Sequence, residues 1–560
     1  MSDRTGEERD VLRPNRHQPP LPKDRFIVRE SPDEEAVPLD VVFVGGGPAG
    51  LSGAIELARL ARADAEAGGS LGELEIGVLE KSASLGEHCL SGAVVNPREF
   101  RRLFPDMPEE EFPFRGPVEK EAVYLLTRSR AARIPTPPTM KNHGNRIASI
   151  CECVRWLGER AEELGVNVFP GFPVDSLLVE GEDVIGVRTV PSGLDREGNP
   201  GASHVAAMDL SARVTVLSEG TRGSLSQAWL EWQGVESENP QIYALGVKEL
   251  WETARPLDRV IHTMGWPLPS DAFGGSFFYP MGENLAAIGL VVGLDYRDAR
   301  LDVHQLLQVM KRHPLFRPYL EGGTMVEWGA KTIPEGGYYA IPERRHGSGL
   351  LVVGDAAGYV DVPSLKGIHY AMHSGILAAR SAFEALKVDD TSEEGLRSYT
   401  GAVDAGYIRR DLHRTRNMRL AFKDGFLVGG AKAGLMTVTQ GSFPGAKITV
   451  DEDAKEPRVP GPGVAGFVPD GELTFSKVDA VFKSGNQTRD DIPSHLLAPD
   501  DVPGGMVDFY THVCPAGVYE KDGDQLVINA PNCIDCKATD VLGPRWTPRE
   551  GGAGPAYRRM

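Results

Sequence analysis

The run LDVVFVGGGPAGLSGAIELARL, Leu39–Leu60, limits what this chain can fold into more than any other stretch. An apolar segment suited to a buried strand meets a glycine turn and continues as a helical pattern. Gly45, Gly47 and Gly50 keep the G-x-G-x-x-G spacing. The first glycine permits a tight turn, the second lets a pyrophosphate approach the backbone, and the third lets the helix lie close on the strand. The first amides of the helix then face the phosphates. LEIGVLEK (Leu74–Lys81) follows as a second strand ending in Glu80, where a carboxylate can hold both ribose hydroxyls of an adenosine. The blander alternative is a plain strand–turn–helix with a surface glutamate.

A distant segment, GLLVVGDAAGYVDVPSLKGIHYAMHSGILAARSAFEAL (Gly349–Leu386), is another strand, a Gly-Asp turn and a helix. With RVTVLSEG (Arg213–Gly220) as a middle strand, this layout resembles flavoproteins with the glutathione-reductase type of FAD domain. The resemblance places Asp355 at the ribityl chain and makes FAD the expected dinucleotide. An NAD dehydrogenase would leave residues 349–386 unused.

At 560 residues the chain is too long for one simple core, and two or three domains are expected. It is 41% hydrophobic and 25% charged, as globular proteins are. No run of about 18 apolar residues offers a membrane-spanning helix. The net charge of −19 argues against nucleic acid and against electrostatic attachment to anionic lipid. Residues 1–38 read as a mobile arm, too acidic for a mitochondrial presequence and without a signal-peptide core.

Three of the six cysteines, Cys514, Cys533 and Cys536, lie in CPAGVYEKDGDQLVINAPNCIDCKATD. The C-x-x-C gap suits a metal or iron–sulfur site. Zinc is the alternative, but His512 is the nearest histidine in sequence. Cys151 and Cys153 fall on an amphipathic helix pattern as small apolar residues, and Cys89 receives no redox role.

SLGEHCLSGAVVNP (Ser84–Pro97), GVKELWE (Gly246–Glu252), GWPL (Gly265–Leu268), FGGSFFYP (Phe273–Pro280), GLVVGLDY (Gly289–Tyr296) and the closing EGGAGPAY resemble the electron transfer flavoprotein–ubiquinone oxidoreductase family, in order, from about residue 39 to the C-terminus. The resemblance implies an α/β chain (α+β overall): a glutathione-reductase-type FAD-binding domain, an inserted quinone-binding domain and a C-terminal ferredoxin-like iron–sulfur domain. The expected boundaries are 39–240 with 345–420 for FAD, 241–344 for quinone, 421–495 for an interfacial helix region and linker, and 496–560 for the cluster. It implies FAD contacts at Gly45, Gly47, Gly50, Glu80 and Asp355, a histidine near the flavin at His88, and a quinone head group against Gly274 and Gly275. Unaided, those two glycines read as a strand bulge. The implied partners are electron transfer flavoprotein and ubiquinone or menaquinone. No acid–base dyad or nucleophile stands out, so no catalytic side chain is assigned.

Two departures from that family follow. Its membrane hairpin and helix are strongly apolar, whereas SRAARIPTPPTM (Ser129–Met140) and LAFKDGFLVGGAKAGLMTV (Leu420–Val438) carry charges and prolines. Weak peripheral contact is expected, at the cytoplasmic face of a bacterial-type inner membrane. Second, Thr539 stands where the family has its fourth cysteine. The resemblance favours [4Fe–4S] with a non-cysteine ligand, and Asp535, Asp540 or solvent are the candidates; the ligand count alone favours [3Fe–4S]. The competing readings are a soluble FAD-dependent oxidoreductase of isoprenoid-reductase type, and a cluster- or zinc-stabilised docking protein.

Overall fold

The computed structural model describes residues 11–560 apart from Ser70 and Ala465. Two sheets organise it. In the first, the parallel strands Val37–Val44, Ile76–Glu80, Asn167–Pro170 and Asp209–Leu217 form the nucleotide-type core, with Leu350–Val352 alongside Asp209–Leu217. Val41, Val42 and Phe43 are fully buried, as a strand covered on both faces requires. The helices Pro48–Glu66 and Ile368–Lys387 pack on each other over this sheet. Their backbones meet closely, because a Cβ on Gly375 would lie 2.0 Å from the Ala49 carbonyl oxygen. The late helix of the Gly349–Leu386 segment is thereby clamped to the helix that follows the glycine turn.

The second sheet runs Thr324–Pro334, Tyr243–Glu252, Leu285–Gly293, Gly274–Pro280, Val260–Gly265, Glu121–Leu126 and Ala131–Ile134. Its outer pair corrects the expected boundaries. Glu121–Leu126, expected in the FAD unit, runs parallel to Val260–Gly265, and Ala131–Ile134 pairs antiparallel with Glu121–Leu126, so both belong here. The pairing with Val260–Gly265 spans more than a hundred residues and leaves no local mark.

The expected mobile arm also needs correction. Phe26 is fully buried, and Ile27–Val28 extends the first sheet beside Val174–Glu180. Leu12 exchanges two backbone hydrogen bonds of 2.8 Å with Arg458. The apolar residues Leu21, Phe26, Ile27 and Val28 explain the docking, since a polar composition does not prevent a few buried side chains from anchoring a segment. Residues 1–10 of that arm lie outside the described residues.

The last 65 residues do not form a separate core. Met506, Phe509, Tyr510, Cys514, Cys533 and Cys536 share one apolar cluster with Trp251 and Trp328 of the second sheet. Ala480 and Val481, in the stretch expected as linker, belong to the same cluster.

Candidate functional site: a dinucleotide cleft beside a three-cysteine loop

Each glycine of the turn is needed for a different reason. Gly45 has φ +113°, and a Cβ there would lie 2.5 Å from the Ser218 carbonyl oxygen. A Cβ on Gly50 would lie 2.2 Å from the Gly45 carbonyl oxygen. Gly47 instead faces open space, with nothing within 4 Å of its Cβ position, at the N-cap of helix Pro48–Glu66. Pro48 at the first helical position has no N–H to satisfy, so the exposed helix start is ready to receive an anion.

Glu80 ends its strand on the cleft wall. One carboxylate oxygen accepts from Gly46 N at 2.9 Å, and the other accepts from Ser82 N and Ser82 Oγ, both at 2.9 Å. A carboxylate has about four acceptor sites, so capacity remains for ribose hydroxyls. Asp355 sits in the turn Gly354–Ala357 across the cleft, where burial raises its pKa to about 6. The cleft runs from the glycine turn past Asp355 to His88, Lys331, Lys537 and Trp546. An open phosphate seat, a carboxylate with spare acceptors and an aspartate on the facing turn fit FAD.

His88 lines the same cleft and is 8% exposed. Its Nδ1 lies 3.6 Å from the Asp535 carboxylate, and burial holds its pKa well below the ordinary histidine value. Asp535 is the central anion here. It pairs with Lys81, accepts from Arg549 and Trp546 Nε1 at 2.9 Å each, and stays well below the usual carboxylate range because burial is outweighed by these cations. It is also one of the two residues between Cys533 and Cys536, so the wall of the dinucleotide cleft is bonded to the cysteine loop itself.

Cys514, Cys533 and Cys536 are buried and share one core cluster with Tyr519. Asp535 (φ 54°) and Lys537 (φ 63°) take left-handed backbone, uncommon for such side chains, to wrap the loop so tightly. Burial pushes the Cys533 thiol up to about 12, so these sulfurs need a positive centre to ionise. Three buried cysteines in one cluster, two of them on a C-x-x-C loop, fit an iron–sulfur cluster.

Sequence spacing missed several neighbours. His495, in a segment expected to be linker up to that residue, lies within 4.8 Å of Cys533 Sγ and the Asp535 carboxylate. A histidine is therefore near the loop after all, though from another part of the chain than His512. Its company is not a free zinc set, because Asp535 is committed to two cations, Lys81 and Arg549, and an indole. Asp540 is likewise spoken for, by Arg222 and by Trp546 N at 3.0 Å. Both carboxylates named as candidate fourth ligands are thus removed from that role. Lys331 and Lys537 carried no motif signal; burial lowers the Lys537 pKa to about 7.

Gly274 and Gly275 open the strand Gly274–Pro280 in the second sheet. A Cβ on Gly274 would lie 2.1 Å from the Val291 carbonyl oxygen, and one on Gly275 2.7 Å from that of Thr263. Their lack of side chains is therefore required by strand pairing, and the pairing with Leu285–Gly293 runs through both without a bulge, so the bulge expectation is not met. Neither lines the dinucleotide cleft, whereas Phe277 and Tyr279 of the same strand do. The residue before the pair, Phe273, stacks edge-on with Phe422 at 5.0 Å and lies under Arg419 at 4.1 Å. Helix Phe426–Val438 begins alongside, with Phe426 N bonded to Ser270 O at 3.2 Å. Leu427 (84%), Val438 (82%), Val428 and Leu435 are exposed on it, while Met436 is buried and Phe426 is half-buried. Among the described residues no helix is long and apolar enough to cross a membrane.

Comparison with known proteins matches this geometry piece by piece. Residues 243–333 match the family model for the ETF-QO ubiquinone-binding region. Residues 471–558 match the model for the 4Fe–4S region of electron transfer flavoprotein-ubiquinone oxidoreductase. The mitochondrial enzyme of that name from Oryza sativa subsp. japonica is 38% identical over 94% of this chain and 94% of its own length. The chain belongs to the electron transfer flavoprotein–ubiquinone oxidoreductase family. The namesake from Dictyostelium discoideum is 37% identical over 95% of this chain and 92% of its own. Among solved structures, a geranylgeranyl bacteriochlorophyll reductase-like protein from Thermoplasma acidophilum superposes with a TM-score of 0.53 at 18% identity. It covers 73% of this chain and 97% of the other, a likeness of fold alone. As a family member, the chain pairs its FAD-type cleft with the cluster region through a single strand. Thr332 N donates to Cys536 O at 3.0 Å, Lys331 Nζ reaches Asp535 O at 3.3 Å, and Lys331, Thr332 and Ile333 all line the cleft.

Proposed function

We propose that this chain oxidises reduced electron transfer flavoprotein and reduces a membrane quinone, ubiquinone or menaquinone, using FAD and one iron–sulfur cluster. The observation that carries the reading is the strand Thr324–Pro334. It is an edge of the second sheet, lines the dinucleotide cleft and bonds the Cys536 loop, so three functional regions share one rigid element.

Bound FAD and cluster supply the redox chemistry, and FAD can mediate between one- and two-electron partners. The chain binds, orients and tunes. Gly45, Gly47 and Gly50 with the start of helix Pro48–Glu66 hold the pyrophosphate, Glu80 the ribose and Asp355 the ribityl chain; His88 closes the flavin end. Cys514, Cys533 and Cys536 hold the cluster. The Asp535 network of Lys81, Arg549 and Trp546 keeps the two sites in fixed register and excludes water between them. Quinone meets the second sheet near Gly274 and Gly275, beside the exposed apolar residues of helix Phe426–Val438. That helix rests in one leaflet as a weak peripheral contact, at the cytoplasmic face of a bacterial inner membrane.

The absorbance spectrum of the purified protein tests the reading. Flavin bands with a broad iron–sulfur shoulder, both bleached anaerobically by reduced electron transfer flavoprotein, are expected. Flavin bands alone would favour a soluble FAD-dependent oxidoreductase without quinone chemistry. Neither chromophore would leave a docking protein.

A further inference from the structure

A cubane cluster takes one protein ligand per iron, normally four thiolates, and this chain brings three. The other cysteines are placed elsewhere: Cys151 Sγ donates to Cys89 O at 3.2 Å, and Cys153 Sγ faces Pro113 O. The spacing Cys533-x2-Cys536-x2-Thr539 puts Thr539 at the next step of the same loop, at the start of the helix Ala538–Leu542. Thr539 is buried, and its Oγ1 lies 3.2 Å from the Oη of Tyr519, which shares one core cluster with all three cysteines. The carboxylates that might replace a thiolate are held in ion pairs, Asp535 by Lys81 and Arg549, Asp540 by Arg222. His495 groups with Cys533 and the Asp535 carboxylate, its ring edge-on to Trp546 at 6.4 Å.

We infer that the fourth corner of the cluster is an exchangeable iron site of oxygen donors, with Thr539 Oγ1 and Tyr519 Oη facing an iron that no thiolate holds. The inference rests on the iron–sulfur reading above. Soft thiolates retain iron in such clusters, and a neutral hydroxyl is a weak substitute. The corner iron therefore leaves on one-electron oxidation: [4Fe–4S]2+ gives [3Fe–4S]+, Fe2+ and one electron, taken by an added oxidant such as ferricyanide. The threonine hydroxyl stays neutral, so no proton is exchanged. Ferrous ion and one electron from dithionite reverse the step.

The test uses the full-length holoprotein isolated without oxygen, read by iron analysis and low-temperature EPR. Stoichiometric ferricyanide should release one iron in four and produce the signal of an oxidised three-iron cluster. Adding 57Fe2+ with dithionite should restore the cubane, with label in one position of four by Mössbauer spectroscopy. Thr539→Cys should keep all four irons under the same treatment and take up no label. Tyr519→Phe, which removes only the hydroxyl, should release iron at lower oxidant than wild type. Retention of all four irons by wild type, indistinguishable from Thr539→Cys, would overturn the inference. Freshly isolated protein without iron would overturn the iron–sulfur reading itself, and the inference with it.

Discussion

Gly47 is the residue on which cofactor retention turns. Its Cβ position is open only because the cleft lies in front of it, and a side chain there would take the place of the pyrophosphate. Gly47→Val should fold yet purify without flavin, read as the ratio of flavin to protein absorbance. Stoichiometric flavin in that variant would reject the assignment. Asp355 carries a second prediction. Its pKa is raised by burial to about 6, so the folded protein holds a proton there that the unfolded chain has lost above pH 4. Stability contributed by this group is present in acid and is lost as pH rises through about 6. In flavin-free protein, Asp355→Asn should therefore raise the melting temperature at pH 8 and change it little at pH 4.5, while weakening FAD binding. Equal shifts at both pH values would show that the carboxyl is not desolvated.

At the scale of elements, helix Val303–Lys311 is fixed to strand Tyr243–Glu252 by a buried ion pair. Lys311 Nζ lies 2.8 and 3.0 Å from the Glu249 oxygens, and Gln308 and Trp251 Nε1 complete the carboxylate's partners. Removing one partner of such a pair costs about 3–5 kcal/mol because the other charge is left buried. Lys311→Met should destabilise the chain by that amount in chemical denaturation, and adding Glu249→Gln should recover most of it. The elements were legible in the sequence to very different degrees. The strand–glycine–helix at Leu39–Leu60 was readable because one local motif fixes turn, helix start and ligand. The hairpin Glu121–Ile134 was not, since its partner Val260–Gly265 is chosen by the sheet and not by neighbours in sequence. Asp535 looked like a spare ligand from its place between two cysteines. Its commitment to Lys81 and Arg549 depends on residues 454 and 14 positions away, which no spacing rule reports. Gly274 and Gly275 were singled out by resemblance, and the backbone oxygens that exclude a Cβ there appear only in three dimensions. A bulky substitution at either would disturb strand pairing as well as a ligand, so the pair is a poor place to probe quinone binding alone.

For the whole molecule, the proposed membrane contact would combine a net charge of −19 with the exposed apolar residues of helix Phe426–Val438. Binding through apolar burial persists in salt, unlike attraction to anionic headgroups. Flotation with neutral liposomes should show weak, salt-resistant association. Leu427→Asp should abolish it, being a better probe than Phe426, which is already half-buried against the protein. Flotation that is unchanged in Leu427→Asp would place the contact elsewhere. On the proposed reading quinone would meet the end of the second sheet nearest that helix, while the strand Thr324–Pro334 ties the sheet to the cleft and the cysteine loop.

The most direct measurement is quinone reduction by the purified holoprotein, supplied anaerobically with reduced electron transfer flavoprotein and a short-chain ubiquinone or menaquinone. Quinol should form only when both the partner flavoprotein and this chain are present, and should not form with Gly47→Val. Reduction of the bound chromophores by the partner with no quinol formed from either quinone would contradict the proposed function.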